Sequence, residues 1–170
     1  MTETKSQVTL LHTNDIHSHL EAAARIAGYA KRTRQRVPAD RLLLVDCGDF
    51  VDRARLETEG TDGGVNRSLL REIGYDAQLL GNNEGLTYTF DQLDAYYRGL
   101  SIPVVCANFR PLQSGRAIDW LVPSLIVRKA GMRIALIGLT APFNDYYELL
   151  GWHASDPLET AAAEVARVRG

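Results

Sequence analysis

The sequence is poor in several things, and each scarcity removes a class of protein. It has only two cysteines, Cys47 and Cys106, in 170 residues. Both sit in or beside apolar runs without metal-ligand spacing, which excludes a disulfide scaffold and a thiolate metal site and leaves two reduced structural thiols. It lacks an excess of either charge: 19 Lys and Arg against 21 Asp and Glu leave a formal net charge of −2 and a pI near 6.1. That gives no footprint for nucleic acid or another polyanion. No apolar run approaches the roughly 20 residues that cross a bilayer. The first residues, Met1 to Gln7, are polar and lead straight into an apolar run. They lack the charged-then-apolar layout of a signal peptide, so a cytoplasmic protein with no membrane partner is expected. Repeats, low-complexity tracts and linker-like stretches are missing as well. Histidine is scarce: His12, His17 and His19 lie together, and only His153 follows.

What remains is ordinary in bulk and unusual in pattern. Hydrophobic content of 45% and charged content of 24% are those of a globular chain, and the length suits a single domain over residues 1–170. The stretch Val8 to Leu11 is an apolar run that leads to Asp15 and His17, two residues apart. In a strand, residues at i and i+2 point to the same side, so at a strand's end this spacing lets a carboxylate and an imidazole converge. Leu42-Leu43-Leu44-Val45-Asp46-Cys47-Gly48-Asp49 and Ala77-Gln78-Leu79-Leu80-Gly81-Asn82-Asn83-Glu84 repeat the design. Each is an apolar run that gives way to Gly and then to Asp or Asn.

Between these runs the chain reads as helix. Leu20 to Arg36 carries Ala23, Ile26, Ala27 and Ala30 on one face, with Arg25, Arg32 and Arg36 left for water. Val65 to Ile73 carries Val65, Leu69, Leu70 and Ile73, with Gly74 placed to end it. Thr89-Phe90-Asp91-Gln92 has the form of a capping box, and the aromatics after it, at helical spacing, are assigned to the core. A strand is expected over Ile102 to Ala107 with Pro103 early in it. A β-hairpin is expected from Leu121 to Arg128 and Met132 to Leu139 about Gly131. Asp156-Pro157-Leu158-Glu159 reads as an N-cap, a Pro at N1 and an acidic N3 that open a last helix. The alternation predicts an α/β fold, layered, with a largely parallel sheet. In such sheets polar ligands gather beyond the strand C-termini, where Asp15, His17, Asp49 and Asn82 all fall. The last helix has no strand after it, so the chain is expected to stop inside a βα unit.

Singly, each motif has an ordinary structural explanation as a turn. In order, and each at a strand end, they form a donor set of two carboxylates, an imidazole and an amide oxygen. That mixture suits Mn, Fe, Zn or Co, and a central Asp can bridge two ions about 3.5–4 Å apart.

Asp15-Ile16-His17, Gly48-Asp49-Phe50-Val51-Asp52 and Gly81-Asn82-Asn83-Glu84 together resemble the motifs of the calcineurin-like metallophosphoesterases. Leu11 to His17 is similar to the Leu-His-Thr-Asn-Asp-x-His that opens members of the 5′-nucleotidase branch. The resemblance implies a layered β-α-β sandwich with a mixed, mostly parallel sheet and a centre of two divalent ions (Mn, Zn, Fe or Co). Asp15 and His17 would bind the first ion, Asp49 would bridge and Asn82 would bind the second. The reaction it implies is hydrolysis of a phosphate ester or anhydride by metal-activated water, on a phosphorylated small molecule such as a nucleotide.

Two departures shape the expectation. Most of the family has Gly-Asn-His-Glu, and Asn83 stands in place of that His. As the catalytic candidate, Asn83 can donate a hydrogen bond to a phosphoryl oxygen but cannot act as a general acid, a role worth about 10²–10⁴ in rate. The family also takes three more His ligands from later strands. His153, in Gly-Trp-His-Ala, matches neither of those motifs and is expected to be an ordinary loop histidine, with His12 structural in its strand and His19 at a helix start. This chain is therefore expected to be the N-terminal part of the phosphoesterase domain, incomplete at its C-terminus, binding metal weakly and turning over poorly. The competing expectation is a non-catalytic binding or assembly module that keeps the fold. A homo-oligomer formed through an exposed sheet edge is a third.

Overall fold

The computed structural model describes residues 6–113 and 118–170. In chain order the elements are β1 (Thr9–Thr13), α1 (Leu20–Arg34), β2 (Leu42–Asp46), α2 (Leu56–Glu59), α3 (Gly64–Ile73), β3 (Ala77–Leu79), α4 (Asn82–Thr87) and α5 (Phe90–Tyr97). They continue with β4 (Val104–Val105), β5 (Phe109–Pro111), β6 (Leu121–Val122), β7 (Ser124–Lys129), β8 (Met132–Ile137), α6 (Asn144–Tyr147), β9 (Trp152–Ala154) and α7 (Pro157–Arg169). A parallel sheet in the order β1-β2-β3-β4-β6 forms the centre. Its register runs from Thr9 opposite Leu42 to Thr13 opposite Asp46, so β1 and β2 end level with each other.

The run of apolar residues in β2 is buried from Leu42 to Val45 because both faces of the sheet are covered. Leu44 faces α1 and α3, where it packs with Ala23, Ala30, Leu70 and Ile73. Leu43 and Val45 face the antiparallel β7–β8 pair, against Leu125, Val127, Ile134 and Leu136. The fold is thus layered, helices on one face of a mostly parallel sheet and strands on the other, as expected. At the far end, Trp152, Phe90, Phe109 and Tyr147 pack into an aromatic cluster with Tyr96 and Tyr97. None of the helices among the described residues is long and apolar enough to cross a membrane.

Local chemistry explains the element ends. Gly74 takes φ +73 and its N–H closes on Leu70 O, which terminates α3. Thr89 and Gln92 form the capping box of α5, and the Asp156 side chain accepts from the N–H groups of Leu158 and Glu159 at the start of α7. Helix α1 stops at Arg34, short of Arg36, because Val37 precedes Pro38 and is biased away from helix.

Besides β4, which covers only Val104–Val105 of the strand expected over Ile102 to Ala107, three features depart from expectation. Leu121 and Val122 do not belong to the hairpin: they pair with β4 in parallel. Pro123, which has no N–H to donate, separates them from β7. The hairpin proper turns through Ala130 (φ +50) and Gly131 (φ +77), two left-handed residues between Lys129 and Met132 as a type I′ turn requires. The second departure is Gly-Asn-Asn-Glu-Gly, expected as a loop, which winds into the short helix α4. The third is His153, which lies in β9, paired with β5, rather than in a loop.

Candidate metal centre

The parallel pairing of β1 and β2 does not stop where the strands do. Cys47 N donates to Thr13 O, Asp15 N to Gly48 O, His17 N to Asp49 O and Ser18 N to Phe50 O, all within 2.7–3.1 Å. These bonds zip the loop after β1 to the loop after β2. The zipper holds Asp15, His17, Ser18 and Asp49 at φ of 44° to 56°, a left-handed conformation that non-glycine residues adopt at a cost. Such strain gathers where the surrounding structure over-determines a functional loop. A glycine contact brings the third strand in. A Cβ on Gly48 (φ +102) would lie 2.6 Å from the main chain of Gly81, so only glycine lets the ends of β2 and β3 close together.

The result is convergence. One atom each from Asp15, His17 and Asp49 can be chosen so that all lie within 4.8 Å of one another. His17 Nε2 is 3.6 Å from Asp15 Oδ1 and 3.8 Å from Asp49 Oδ2, and its Nδ1 is 3.0 Å from Asp52 Oδ2. Asp49 Oδ1 turns the other way and accepts from Asn83 N at 2.8 Å, so the two oxygens of Asp49 serve opposite sides. Asn82, in the first turn of α4, joins Asn14, Asp15, Asp49, Gly81 and Thr140 around a polar cleft of about 290 Å³. Three of the four expected ligands therefore form one cluster, and the fourth lines the same cleft.

Asn83 sits beside the cleft with its side chain engaged. Its Nδ2 donates to Val51 O at 2.5 Å, and Thr87 Oγ1 donates to its Oδ1 at 3.3 Å. His19 Nδ1 accepts from Arg55, and His153 Nδ1 faces Glu148 Oε1 at 3.1 Å. His12 lies on the exposed side of β1.

The electrostatics are those of negative charge gathered in a partly dry place. Burial disfavours the charged ring of His17, but the Asp52 hydrogen bond and the carboxylates of Asp49, Asp52 and Asp15 outweigh it and hold the imidazole above its usual pKa. Burial raises the Asp49 carboxyl, against the lowering effect of the Asn83 N–H and His17. Asp52 lies below the usual carboxylate range: its own burial opposes this, and the Ala54 N–H and His17 prevail. Glu84, fully buried, accepts from the N–H groups of Asp49, Phe50 and Val51 at 3.2, 2.9 and 3.4 Å. Burial and the nearby Asp49 and Asp46 carry its carboxyl up to about 8, against the N–H groups around it.

Sequence reasoning named Glu84 and Asp52 as motif positions without giving them a task. The signal that could have found Asp52 is its place three residues after Asp49, which the zipper sets against His17.

The family profile of the calcineurin-like phosphoesterases matches residues 8–153. The chain belongs to that family. This calcineurin-like phosphoesterase is 37% identical over 169 residues to the uncharacterized metallophosphoesterase YunD of Bacillus subtilis (strain 168), covering 98% of the chain and 36% of that protein. It is 31% identical over 153 residues to the probable 5′-nucleotidase of Treponema pallidum (strain Nichols), covering 78% of the chain and 25% of the relative. The 5′-nucleotidase precursor from Thermus thermophilus superposes with a TM-score of 0.82 at 26% identity, over 95% of this chain and 34% of that one. These relatives align the phosphoesterase with the 5′-nucleotidase-like branch, and it spans about a third or less of their length. The donor chemistry of the cluster, one imidazole nitrogen and two carboxylate oxygens, fits the divalent ions that the family binds.

Proposed function

We propose that the chain carries metal-binding residues of a phosphoester hydrolase whose substrate is a nucleotide or a related phosphorylated small molecule. The observation that carries this reading is the convergence of Asp15, His17 and Asp49 at the strand C-termini. Asp15 and His17 would hold one ion, Asp49 would reach toward both, and Asn82 would serve a second from the other side of the cleft. Divalent ions held there supply Lewis acidity and neutralise charge on the phosphoryl oxygens. Hydrolysis joins a water oxygen to phosphorus and breaks the ester P–O bond. Asn83 has no titratable proton to give, so the leaving oxygen takes its proton from water or from another residue, or departs as an anion stable enough to need none. The test is calorimetric titration with Mn²⁺ of the native chain and of Asp49→Ala, beside phosphate release from a nucleoside monophosphate and an aryl phosphate. Binding that Asp49→Ala removes, with slow turnover, is the expected outcome. Fast aryl phosphate hydrolysis lost in Asp49→Ala would overturn the expectation of slow turnover, and a native chain that binds no Mn²⁺ would sink the metal reading.

The hydrogen bond from Asn83 Nδ2 to Val51 O favours a second reading. A side chain with one of its two N–H donors committed to the main chain serves the loop first, as in a binding module that has kept the fold. Mn²⁺ binding with no turnover on any phosphate ester in the panel would select that reading.

A further inference from the structure

The group that orients His17 is not one of the other candidate ligands. Its ring presents Nε2 to Asp15 and Asp49, while Nδ1 lies 3.0 Å from Asp52 Oδ2. A neutral imidazole carries one proton, and the nitrogen that donates a hydrogen bond leaves the other with a lone pair. A carboxylate at Nδ1 can only accept, so it fixes the proton there and bares Nε2 on the side where the carboxylates gather. It also opposes a half-turn of the ring about χ2, which would exchange the positions of the two nitrogens.

The remaining contacts of Asp52 separate this role from a plain structural one. Its Oδ1 accepts from Ala54 N at 2.8 Å and shapes the local turn, which leaves Oδ2 for His17. The main chain of Asp52 is fastened without its carboxylate. Asp52 N donates to Ser18 Oγ at 2.7 Å, and Ser18 Oγ donates back to Asp52 O at 2.8 Å. Asn66 Nδ2 on α3 donates to the same hydroxyl at 2.9 Å, and Thr58 Oγ1 donates to Asn66 Oδ1 at 2.9 Å. Ser18, Thr58 and Asn66 are no more than 1% exposed. The Ser18 hydroxyl thus uses both acceptor positions and its one proton. This buried chain of side chains sets where Asp52 sits, and its carboxylate sets how His17 stands.

We propose that Asp52 is a positioning residue of the metal centre, acting through His17 by holding its ring in the Nδ1–H tautomer with Nε2 offered to the ion. The proposal rests on the metal-binding reading above. Partners of this kind on ligating histidines are worth about 10–100-fold in metal affinity.

Two measurements on the full chain test it. In metal-free protein, taken to a pH at which the ring nitrogen shifts no longer change and the ring is neutral, long-range ¹H–¹⁵N spectra should show His17 protonated at Nδ1 in the native chain and shifted toward Nε2–H in Asp52→Ala. Unchanged ring nitrogen shifts would overturn the proposal whatever the metal does. In Mn²⁺ titrations, Asp52→Ala should weaken binding at least about tenfold when His17 is present. In a His17→Ala background the same substitution should change it by no more than about twofold. Equal losses in the two backgrounds would mean that Asp52 acts through the fold or as a ligand itself, and would also overturn the proposal. Asp52→Leu, which cannot accept a hydrogen bond, carries both measurements if the alanine variant fails to fold. A native chain that binds no Mn²⁺ would overturn the presentation of Nε2 to an ion, while the metal-free spectra would still report separately on the pairing of Asp52 with His17.

Discussion

Asp46 ends β2 with none of its surface exposed. Thr13 Oγ1 donates to its Oδ1 at 2.7 Å and Gly48 N donates to its Oδ2 at 3.2 Å. Burial pushes the carboxyl up to about 7 from an ordinary value of 3.8, and the two donors recover only part of the difference. The folded chain therefore keeps a proton that the unfolded chain has released. The stability this contributes is complete below about pH 4 and is lost as pH rises through about 7. At about 1.36 kcal/mol for each pH unit of that interval, the loss comes to about 4 kcal/mol as an upper figure. Asp46→Asn removes the ionisation and keeps an oxygen for one of the donors. Urea unfolding of both chains without added metal, in steps from about pH 5 to about pH 8, should show the variant gaining on the native chain as pH rises, by up to about 2–3 kcal/mol over the range, since about two pH units of the interval lie above pH 5. Parallel stability curves, offset by a constant amount, would refute the reasoning, because they would mean that Asp46 has the same proton occupancy in the folded and unfolded chains.

Other perturbations test other parts of the molecule. Gly81→Ala would drive a methyl into the carboxylate and main-chain nitrogen of Asp49. It should cost about 1–3 kcal/mol, lowering Tm by about 2–12 °C, and should weaken Mn²⁺ binding. An unchanged melt would show that the two loops have room to part. Trp152 is fully buried between Phe90 and Phe109, with ring centroids 4.9 and 4.7 Å away, and donates from Nε1 to Tyr88 O. Trp152→Ala should cost about 3–5 kcal/mol in urea unfolding; a loss under about 1 kcal/mol would deny the cluster its place in the core. Ala130→Gly relieves a left-handed alanine at φ +50 in the hairpin turn; the penalty of about 1–2 kcal/mol less the extra chain entropy of glycine, about 0.4–1 kcal/mol, leaves a gain of up to about 1 kcal/mol, read as a small rise in Tm. A fall would mean that the turn is not strained.

What could be read from the sequence was what neighbouring residues decide among themselves. The ends of β1, β2 and β3 were legible because an apolar run giving way to Gly and Asp or Asn is a local signal. The capping box at Thr89 and Gln92 and the stop at Gly74 are equally local. Helix α4 was not legible, since Gly-Asn-Asn-Glu-Gly is poor in helix formers. Its first turn is held from outside, by Asp49 Oδ1 on Asn83 N and by Glu84 buried among the N–H groups of residues 49–51. Strand β9 has three residues and owes its place to the packing of Trp152, beyond the reach of any periodicity. At the site, Asp15, His17 and Asp49 followed from position alone. The pairing of Asp52 with His17 depends on the register between two loops 35 residues apart in sequence, which no single stretch encodes.

The zipper between the loops after β1 and β2 also ties the candidate ligands to the edge of the sheet. Among the described residues strand β1 is an edge of the parallel sheet, so peeling it away is a local opening that need not unfold the core. Asp15 and His17 travel with that strand, and their own N–H groups form part of the zipper. Fraying of the edge would therefore disperse the Asp15, His17 and Asp49 cluster, and an ion held there would stabilise the zipper against it. Saturation with Mn²⁺ should slow amide hydrogen exchange at Asp15, His17 and Ser18 together.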